Sequence, residues 1–550
     1  MIYPKIPLAQ SILEISLAKG LQHIVISPGS RNAPLTIGFT NNTAFTCYSI
    51  ADERCAAFFA LGMAQQIQKP VAVVCTSGSA LLNYYPAVAE AFYNQIPLVI
   101  ISADRPHDKI DIGDGQTIRQ ENVFANHILY SANLTEEASE ENDLKIQEAL
   151  FVANAKKGPV HINVPFEEPL YETVEDLSVR PVLVNLFTEA KEEPATTEFV
   201  NLWNASKKKL ILLGGNYPDA IAQEFLNRLG EDSSVVVMTE VTSNAHHSNF
   251  ITNIDTIITP FTDEDFKAFQ PDILVTIGGM IVSKRIKAFL RKYQPKHHWH
   301  IDELRAYNTF GCLSQHFEVV PNQFFSTFLP KTNSIESDYQ LNALKIRALR
   351  AKMHQIYLEK APFTDLKVFE TVLGKLPTAI QLQISNSSPI RYAQLFSIDK
   401  NIDVFCNRGT SGIDGSTTTA IGAAVQTDKP VVFITGDISF FYDSNALWNN
   451  YIPQNFKIIL INNGGGGIFR ILPGHQETKT FNTYFETSHH LTAEHLAKMY
   501  GFNYITAESV EGISSNWNVF QSSGKPIIFE IFTPEKENDS VLLNYFKNLK

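Results

Sequence analysis

Cysteine is scarce in this chain, and Cys47, Cys55, Cys75, Cys312 and Cys406 form neither a CxxC step nor the Cys/His spacing of a zinc site. An odd, scattered set excludes a disulfide framework and predicts reduced, buried thiols in a cytoplasmic protein. Positive charge is short as well: 45 lysines and arginines stand against 57 acids, for a net charge of −12. Nucleic acids and anionic membranes demand a basic field, so neither is an expected partner. No apolar run approaches the length that spans a bilayer. The opening MIYPKIPLAQSILEISLAKG, interrupted by Pro4, Pro7 and Glu14, does not read as a secretory signal. Short tandem repeats of the solenoid kind are missing too.

What is present is an ordinary globular composition, 44% apolar and 19% charged, in 550 residues, enough for about three domains. Strand-like runs at Leu21–Ser27, Val71–Cys75 and Leu98–Ser102 alternate with helix-like runs at Glu53–Gln66 and Ser79–Tyr93. This alternation predicts α/β domains built on parallel, doubly wound sheets. An acidic, turn-prone stretch from Pro181 to Phe199 reads as a linker. A second α/β segment starts at Lys209–Leu213, runs into Gly214-Gly215, and includes Asp272–Ile277 before Gly278-Gly279. Polar residues from Lys331 to Asp338 precede a third. The expected domains are 1–182, 198–335 and 340–550.

In the third segment, the β-branched runs Val431–Thr435 and Ile458–Ile461 end in Gly436-Asp437 and Asn462-Asn463, and Gly464 to Gly467 follow. Tyr442–Tyr451 between them reads as a helix, which makes a strand-helix-strand unit. Parallel strands joined in this way finish at one sheet edge. Asp437 and Asn463 therefore converge where open α/β sheets bind ligands. Hard oxygen donors of this kind suit magnesium, which keeps positions for water and phosphate oxygens. Alone, a Gly-Asp is a turn after a strand; the Asn-Asn-Gly run makes the pair specific. A nicotinamide fingerprint would need G-x-G-x-x-G, but the sixth position counted from Gly464 is Phe469.

The Gly-Asp…Asn-Asn pattern resembles the thiamine diphosphate enzymes. The resemblance implies a pyrimidine-binding domain (1–182), a central α/β domain (198–335) and a diphosphate- and metal-binding domain (340–550). It also implies thiamine diphosphate with Mg²⁺ or Mn²⁺, held by Asp437, Asn463 and the main-chain oxygen of Gly465. Gly436, Ile438, Ser439 and Ile468 would complete the cofactor contacts. Such an enzyme needs a carboxylate at the aminopyrimidine ring, whose imino form takes up the thiazolium proton. Glu53, in Asp52-Glu53-Arg54 at a helix start, is the candidate; its ordinary alternative is an acid favoured by the helix dipole. Thr76, Ser77 and Gly78 resemble the family's loop beside the pyrimidine. Ile413, one bulky residue within Ser411-Gly412-Ile413-Asp414-Gly415, would prop the cofactor in its bent form, its alternative being a core isoleucine. Family members pair the first domain of one subunit with the third of another, so a homodimer is the minimum expected unit, with a homotetramer the larger alternative.

Four further segments narrow the resemblance: Ser27-Pro28-Gly29-Ser30-Arg31-Asn32-Ala33-Pro34-Leu35, Ala103-Asp104-Arg105-Pro106, Gly115-Gln116-Thr117-Ile118-Arg119-Gln120 and Asn407-Arg408-Gly409-Thr410. Over nearly the whole chain they are similar to the 2-succinyl-5-enolpyruvyl-6-hydroxy-3-cyclohexene-1-carboxylate synthases of menaquinone biosynthesis, in which Ile or Leu follows the Gly-Asp, as Ile438 does here. That branch is a transferase that decarboxylates 2-oxoglutarate and adds the succinic-semialdehyde carbanion equivalent to isochorismate in a 1,4 sense. Its substrates are rich in carboxylates, which guanidinium forks recognise. The resemblance assigns Ser30, Arg31, Arg105, Gln116, Lys284, Arg285, Ser387, Arg391 and Arg408 to substrate, although a surface Arg or Lys is more often a solvated side chain. Ser387 and Arg391 are i and i+4 on the helix expected after Ser385-Asn386. His489, His490 and His495 show no ligand spacing and read as surface or core residues. Rival readings are an acetolactate synthase or 2-oxoacid decarboxylase, a non-catalytic binding protein of the same fold and, more distantly, a nicotinamide dehydrogenase.

Overall fold

The computed structural model describes residues 2–187, 197–472, 474 and 476–550. Residues 188–196, half of the expected linker, lie outside the described residues. Three parallel sheets follow one another along the chain, with a two-stranded antiparallel ribbon of Tyr3–Pro4 and Thr173–Val174 beside the first.

The first sheet has six strands: β1 (His23–Ile26), β2 (Thr46–Ser49), β3 (Val71–Cys75), β4 (Leu98–Asp104), β5 (Tyr130–Asn133) and β6 (Val160–Pro165). Their order is β2-β1-β3-β4-β6-β5. β3 and β4 are buried at every residue, as strands covered by helices on both faces must be. Helix α1 (Glu53–Ile67) begins at Asp52, whose side chain accepts the Cys55 N–H, and it ends where Gln68 turns left-handed at φ 51°. The helix expected over Ser79–Tyr93 is two helices, α2 (Ser79–Leu82) and α3 (Tyr85–Asn94). Pro86 explains the break, because proline fits the first turn of a helix and not its interior.

The central sheet has five strands, β7 (Lys209–Leu213), β8 (Val235–Thr239), β9 (Ile273–Ile277), β10 (His297–Ile301) and β11 (Leu313–Phe317), in the order β8-β7-β9-β10-β11. Helix α4 (Lys284–Lys292) follows β9 and is capped by Ser283.

The third sheet comprises β12 (Gln381–Ile384), β13 (Asp403–Phe405), β14 (Val431–Gly436), β15 (Lys457–Asn462), β16 (Asn503–Ala507) and β17 (Ile527–Phe532). Its order, β13-β12-β14-β15-β17-β16, repeats that of the first sheet strand for strand. Helices α5 (Asp365–Leu373), α6 (Ser388–Ala393), α7 (Ser416–Val425) and α8 (Asp437–Tyr442) surround it. The helix expected over Tyr442–Tyr451 is displaced: α8 starts at Asp437 itself, and only a 3₁₀ turn, Ser444–Leu447, follows. The Gly-Asp is thus a strand-to-helix junction with no intervening loop.

The first and third sheets meet within one chain through α1 and α7. A Cβ on Gly62 would lie 2.1 Å from the Thr419 carbonyl oxygen, and one on Gly422 would lie 2.1 Å from the Phe59 carbonyl oxygen. The two helices therefore touch backbone to backbone, which only glycine permits. Asn445 donates to Asp52 at 2.8 Å, and Arg54 donates to the Tyr442 carbonyl at 3.0 Å, closing the end of this seam. All five cysteines are free; Cys55, Cys75 and Cys406 are buried, whereas Cys47 and Cys312 are half-buried. Among the described residues no helix is long and apolar enough to cross a membrane.

Candidate active site

In both six-stranded sheets the strand order reverses beside a central pair, β1/β3 in one and β12/β14 in the other, and ligands of open α/β sheets bind outside such points. Ser30, Arg31, Thr76 to Gly78 and Ser387 lie on the loops leaving these strands, and Asp437 starts the helix that follows β14.

At the third sheet, Gly436 pairs with Ile461, so β14 and β15 finish side by side. The two asparagines then divide their work. Asn462 is structural: it donates to Glu530 at 2.7 Å and to the Leu491 carbonyl at 2.9 Å, and it accepts the Gly464 N–H at 3.1 Å. Asn463 faces the site. Its Nδ2 donates to Asp365 at 2.9 Å, while its Oδ1 is buried without a hydrogen-bond partner. Beside it, Asp437 accepts the Ile438 N–H at 2.7 Å and the Gly465 N–H at 3.0 Å. Ser439 donates to the Ile413 carbonyl at 2.7 Å and so ties the Ile413 segment to α8. Ile468 lies on the 3₁₀ turn Gly467–Ile471 that closes the glycine run.

An orphaned amide oxygen next to a carboxylate is a buried polar atom waiting for a partner. Among the described residues no group of three His, Cys, Asp or Glu side chains could hold a metal; the oxygen donors available here are the Asp437 carboxylate, the Asn463 amide oxygen and main-chain carbonyls. That set fits a hard divalent cation.

Two residues beside this pair were not site candidates in the sequence. Asp365, first residue of α5, accepts from Asn463 and from Thr533 at 2.6 Å; burial pushes its carboxyl up to about 6. His489, read from the sequence as a surface or core residue, lies against Asp437. Its Nε2 lies 3.4 Å from Asp437, and its N–H donates to the Gly464 carbonyl at 2.9 Å. Neither carries a motif, since each arrives from a distant part of the chain.

At the first sheet, Pro28 to Arg31, Thr76 to Gly78 and Gln116 to Gln120 come together. A Cβ on Gly29 would sit 2.3 Å from Thr76, and Thr76 accepts the Arg31 N–H at 3.3 Å. Gly78, at φ +87°, donates to Gln120 at 2.8 Å, and a Cβ there would lie 3.2 Å from the Gln116 carbonyl. Ser77 is buried with an unpartnered hydroxyl, and Ser30 is exposed. Arg31 is 4% exposed and donates to the Phe166 carbonyl at 3.0 Å and to Glu168 at 2.9 Å; Arg105 donates to the Gly115 carbonyl at 3.2 Å. Glu53, half-buried at the start of α1, has its carboxyl raised by desolvation, with its own N–H opposing and Asp52 adding. Among the described residues no hydrogen bond or ion pair joins Glu53 to Asp437, Asn463 or Gly465.

A third group gathers around Arg408. Its Nη1 donates to Asn386 at 2.8 Å, and Arg391, on α6, donates to the Ser387 carbonyl at 3.4 Å. Arg408 and Arg391 are close enough to repel, which together with burial lowers the Arg391 guanidinium, burial being the larger cause. Ser387 sits at φ +69°, a conformation uncommon for serine, at the cap of α6. The central sheet contributes the segment before α4, where Glu240 accepts the Val282 N–H at 2.7 Å and the Ser283 N–H at 2.8 Å. Lys284 is exposed at the start of α4, whereas Arg285 lies over the Phe546 ring at 4.6 Å. A cavity of 360 Å³ at the junction of the three sheets reaches Arg408 from the side of Tyr217 and Gly279; it touches none of Glu53, Asp437 and Asn463.

Two like-ordered parallel sheets, one ending in an oxygen-donor pair and the other in a small-residue loop and a carboxylate, define a thiamine diphosphate enzyme. Residues 7–128 match the thiamine pyrophosphate enzyme N-terminal TPP binding domain, and residues 387–531 match the C-terminal TPP binding domain. The chain is 70% identical to the 2-succinyl-5-enolpyruvyl-6-hydroxy-3-cyclohexene-1-carboxylate synthase of Flavobacterium psychrophilum, with both chains covered in full. The synthases of the same name from Flavobacterium johnsoniae and Christiangramia forsetii are 66% and 55% identical, again over the whole of both chains. The chain belongs to the family of these synthases.

Proposed function

We propose that the chain decarboxylates 2-oxoglutarate and adds the remaining four-carbon unit to isochorismate in a 1,4 sense, giving 2-succinyl-5-enolpyruvyl-6-hydroxy-3-cyclohexene-1-carboxylate and CO₂ in menaquinone biosynthesis. The observation that carries this reading is the unpartnered Asn463 Oδ1 beside Asp437, at the edge of a sheet whose neighbouring helix and loop hold Arg391 and Arg408. The first is suited to a metal-diphosphate anchor and the second to dicarboxylate substrates.

Residues 1–182, 198–335 and 340–550 are assigned as pyrimidine, central and diphosphate domains. Asp437, Asn463 and the Gly465 carbonyl would hold Mg²⁺ or Mn²⁺, and Gly436, Ile438, Ser439 and Ile468 would border the diphosphate. Thr76 to Gly78 and Ile413 would frame the organic part of the cofactor. Bound thiamine diphosphate would supply the electron sink that lets CO₂ leave. Glu53 would exchange a proton with the aminopyrimidine ring, a task helped by a carboxyl raised toward working pH.

Arg391, Arg408 and Ser387 are assigned to the distal carboxylate that 2-oxoglutarate keeps throughout. Lys284, Arg285, Arg31, Arg105, Gln116 and Ser30 would face isochorismate and its carboxylates. For Arg31 and Arg285 this requires their present partners, Glu168 and Phe546, to share them. By likeness to the thiamine diphosphate enzymes, the Glu53 end of one copy would face the Asp437 end of another, in a homodimer or a homotetramer. We place the protein in the cytoplasm, where its free cysteines would stay reduced.

The test is mass identification of the product formed from 2-oxoglutarate and isochorismate with thiamine diphosphate and Mg²⁺. Formation of the succinyl-enolpyruvyl adduct is expected. Turnover of pyruvate in preference to 2-oxoglutarate would transfer the chain to the acetolactate synthase or decarboxylase reading, and no CO₂ release from either acid would leave a binding protein of the same fold.

A further inference from the structure

A buried acid with no part in the chemistry above stands where the first and third sheets meet. Glu90, on α3, is 2% exposed. Its carboxylate accepts the Gly409 N–H at 2.7 Å, the Thr410 N–H at 2.7 Å and the Thr410 hydroxyl at 2.8 Å, all from a loop more than three hundred positions away. That loop follows β13 and carries Arg408. Burying a carboxylate without partners is costly, and here the donors come from two adjacent residues, Gly409 and Thr410.

The same turn is gripped from its other side. Asn386, just after β12, donates to the Asn407 carbonyl at 2.6 Å and the Gly412 carbonyl at 2.7 Å, and its Oδ1 accepts from Arg408 at 2.8 Å. The fit against α3 leaves no slack. A Cβ on Gly409 would lie 2.5 Å from the Glu90 carbonyl oxygen and 3.1 Å from the Asn94 nitrogen. Burial raises the Glu90 carboxyl, and the Thr410 and Gly409 donors, with the nearby Arg408 charge, oppose that rise.

We propose that Glu90 is a positioning residue: it locks the Gly409-Thr410 turn so that Arg408 is held ready for the distal carboxylate of 2-oxoglutarate. Glu90 bonds Gly409 and Thr410 and none of the residues assigned to the cofactor, so its effect falls on affinity for the donor acid, not on the chemical step. The inference rests on the assignment of Arg408 to that carboxylate.

The experiment is steady-state kinetics of the full-length holoenzyme, with thiamine diphosphate and Mg²⁺ saturating, for wild type, Glu90→Gln, Arg408→Ala and the double variant. Glu90→Gln places an amide N–H against donors that need an acceptor. It is expected to raise the KM for 2-oxoglutarate about tenfold, to change kcat less than about threefold and to leave the thiamine diphosphate midpoint in place. In the Arg408→Ala background the same change should add less than about twofold, because the two residues act through one contact. Multiplying effects, or lower thermal stability with an unchanged KM, would overturn the proposal while leaving the Arg408 assignment intact. A wild-type KM in Arg408→Ala would overturn that assignment and this inference with it. Should Glu90→Gln fail to fold, Thr410→Val decides: removal of the hydroxyl donor alone should raise KM about two- to threefold, again only when Arg408 is present, and an unchanged KM overturns the proposal.

Discussion

Asn463 donates its amide to Asp365 at 2.9 Å, and this bond decides which end of the amide faces the site. With Nδ2 committed, Oδ1 must point the other way, where it is buried and unpartnered. Replacing Asp365 with Ala frees the amide to rotate. Supporting residues of metal sites typically change affinity by about 10- to 100-fold. The half-saturating Mg²⁺ concentration for thiamine diphosphate binding, read by the quenching of intrinsic fluorescence, should rise by about that factor, with saturating turnover largely retained. An unchanged Mg²⁺ requirement would remove Asp365 from the anchor.

Glu53→Gln should lower kcat by about 10² to 10⁴, the range for a positioned proton-transfer group. The same variant should slow hydrogen-deuterium exchange at the cofactor's C2, followed by NMR after acid quenching. Wild-type exchange would mean that Glu53 merely favours the start of α1.

The seam between α1 and α7 gives a prediction about stability. A methyl added at Gly62 would stand 2.1 Å from the Thr419 carbonyl, and no flexible side chain is there to yield. Overpacking of this kind typically costs about 1–3 kcal/mol, and more where backbone must move. Gly62→Ala should therefore lower Tm by several degrees in a calorimetric scan, whereas Gly20→Ala, with nothing near its Cβ position, should show only the strain of a left-handed φ of 76°.

Glu240 supplies the pH dependence. Burial pushes its carboxyl up to about 7, while the Val282 and Ser283 N–H groups and Arg408 pull it down and Asp255 adds to the rise; Lys287 also faces it. The folded chain therefore holds a proton there that the unfolded chain releases near 4.5. This contribution to stability is full below pH 4.5, is lost as pH rises to about 7 and is flat above. Glu240→Gln should remove that slope, so Tm of the wild type minus Tm of the variant should fall as pH climbs through the window. A constant difference would show that Glu240 stays charged throughout.

The strands were legible because parallel strands buried on both faces are unbroken β-branched runs, as at Val71–Cys75 and Val431–Thr435. The Asp437 and Asn463 end of the candidate site was legible for the same reason, since a motif at each strand end inherits its position from the sheet. Local turns were less so: the break at Asn83-Tyr84 and the immediate start of α8 at Asp437 depend on where a single proline or glycine lets a helix begin. The acids that aim other residues were not legible at all. Asp365, Glu90 and Glu240 are lone carboxylates at a helix start, in a helix and after a strand, and each gains its meaning only from a partner dozens to hundreds of positions away. His489 is the same case. Its neighbours in the sequence say nothing of Asp437.

The glycine contacts between α1 and α7 also bear on how substrate enters. Helices that meet through their main chains cannot slide or swing without breaking contacts along their whole length, because there is no side-chain layer to shear. The helix carrying Glu53 and the helix that follows Ile413 therefore move as one body. Any opening that admits a molecule as large as isochorismate falls to segments outside this seam, and the Glu53 and Ile413 segments of one chain keep a fixed relation to each other while the walls around them change.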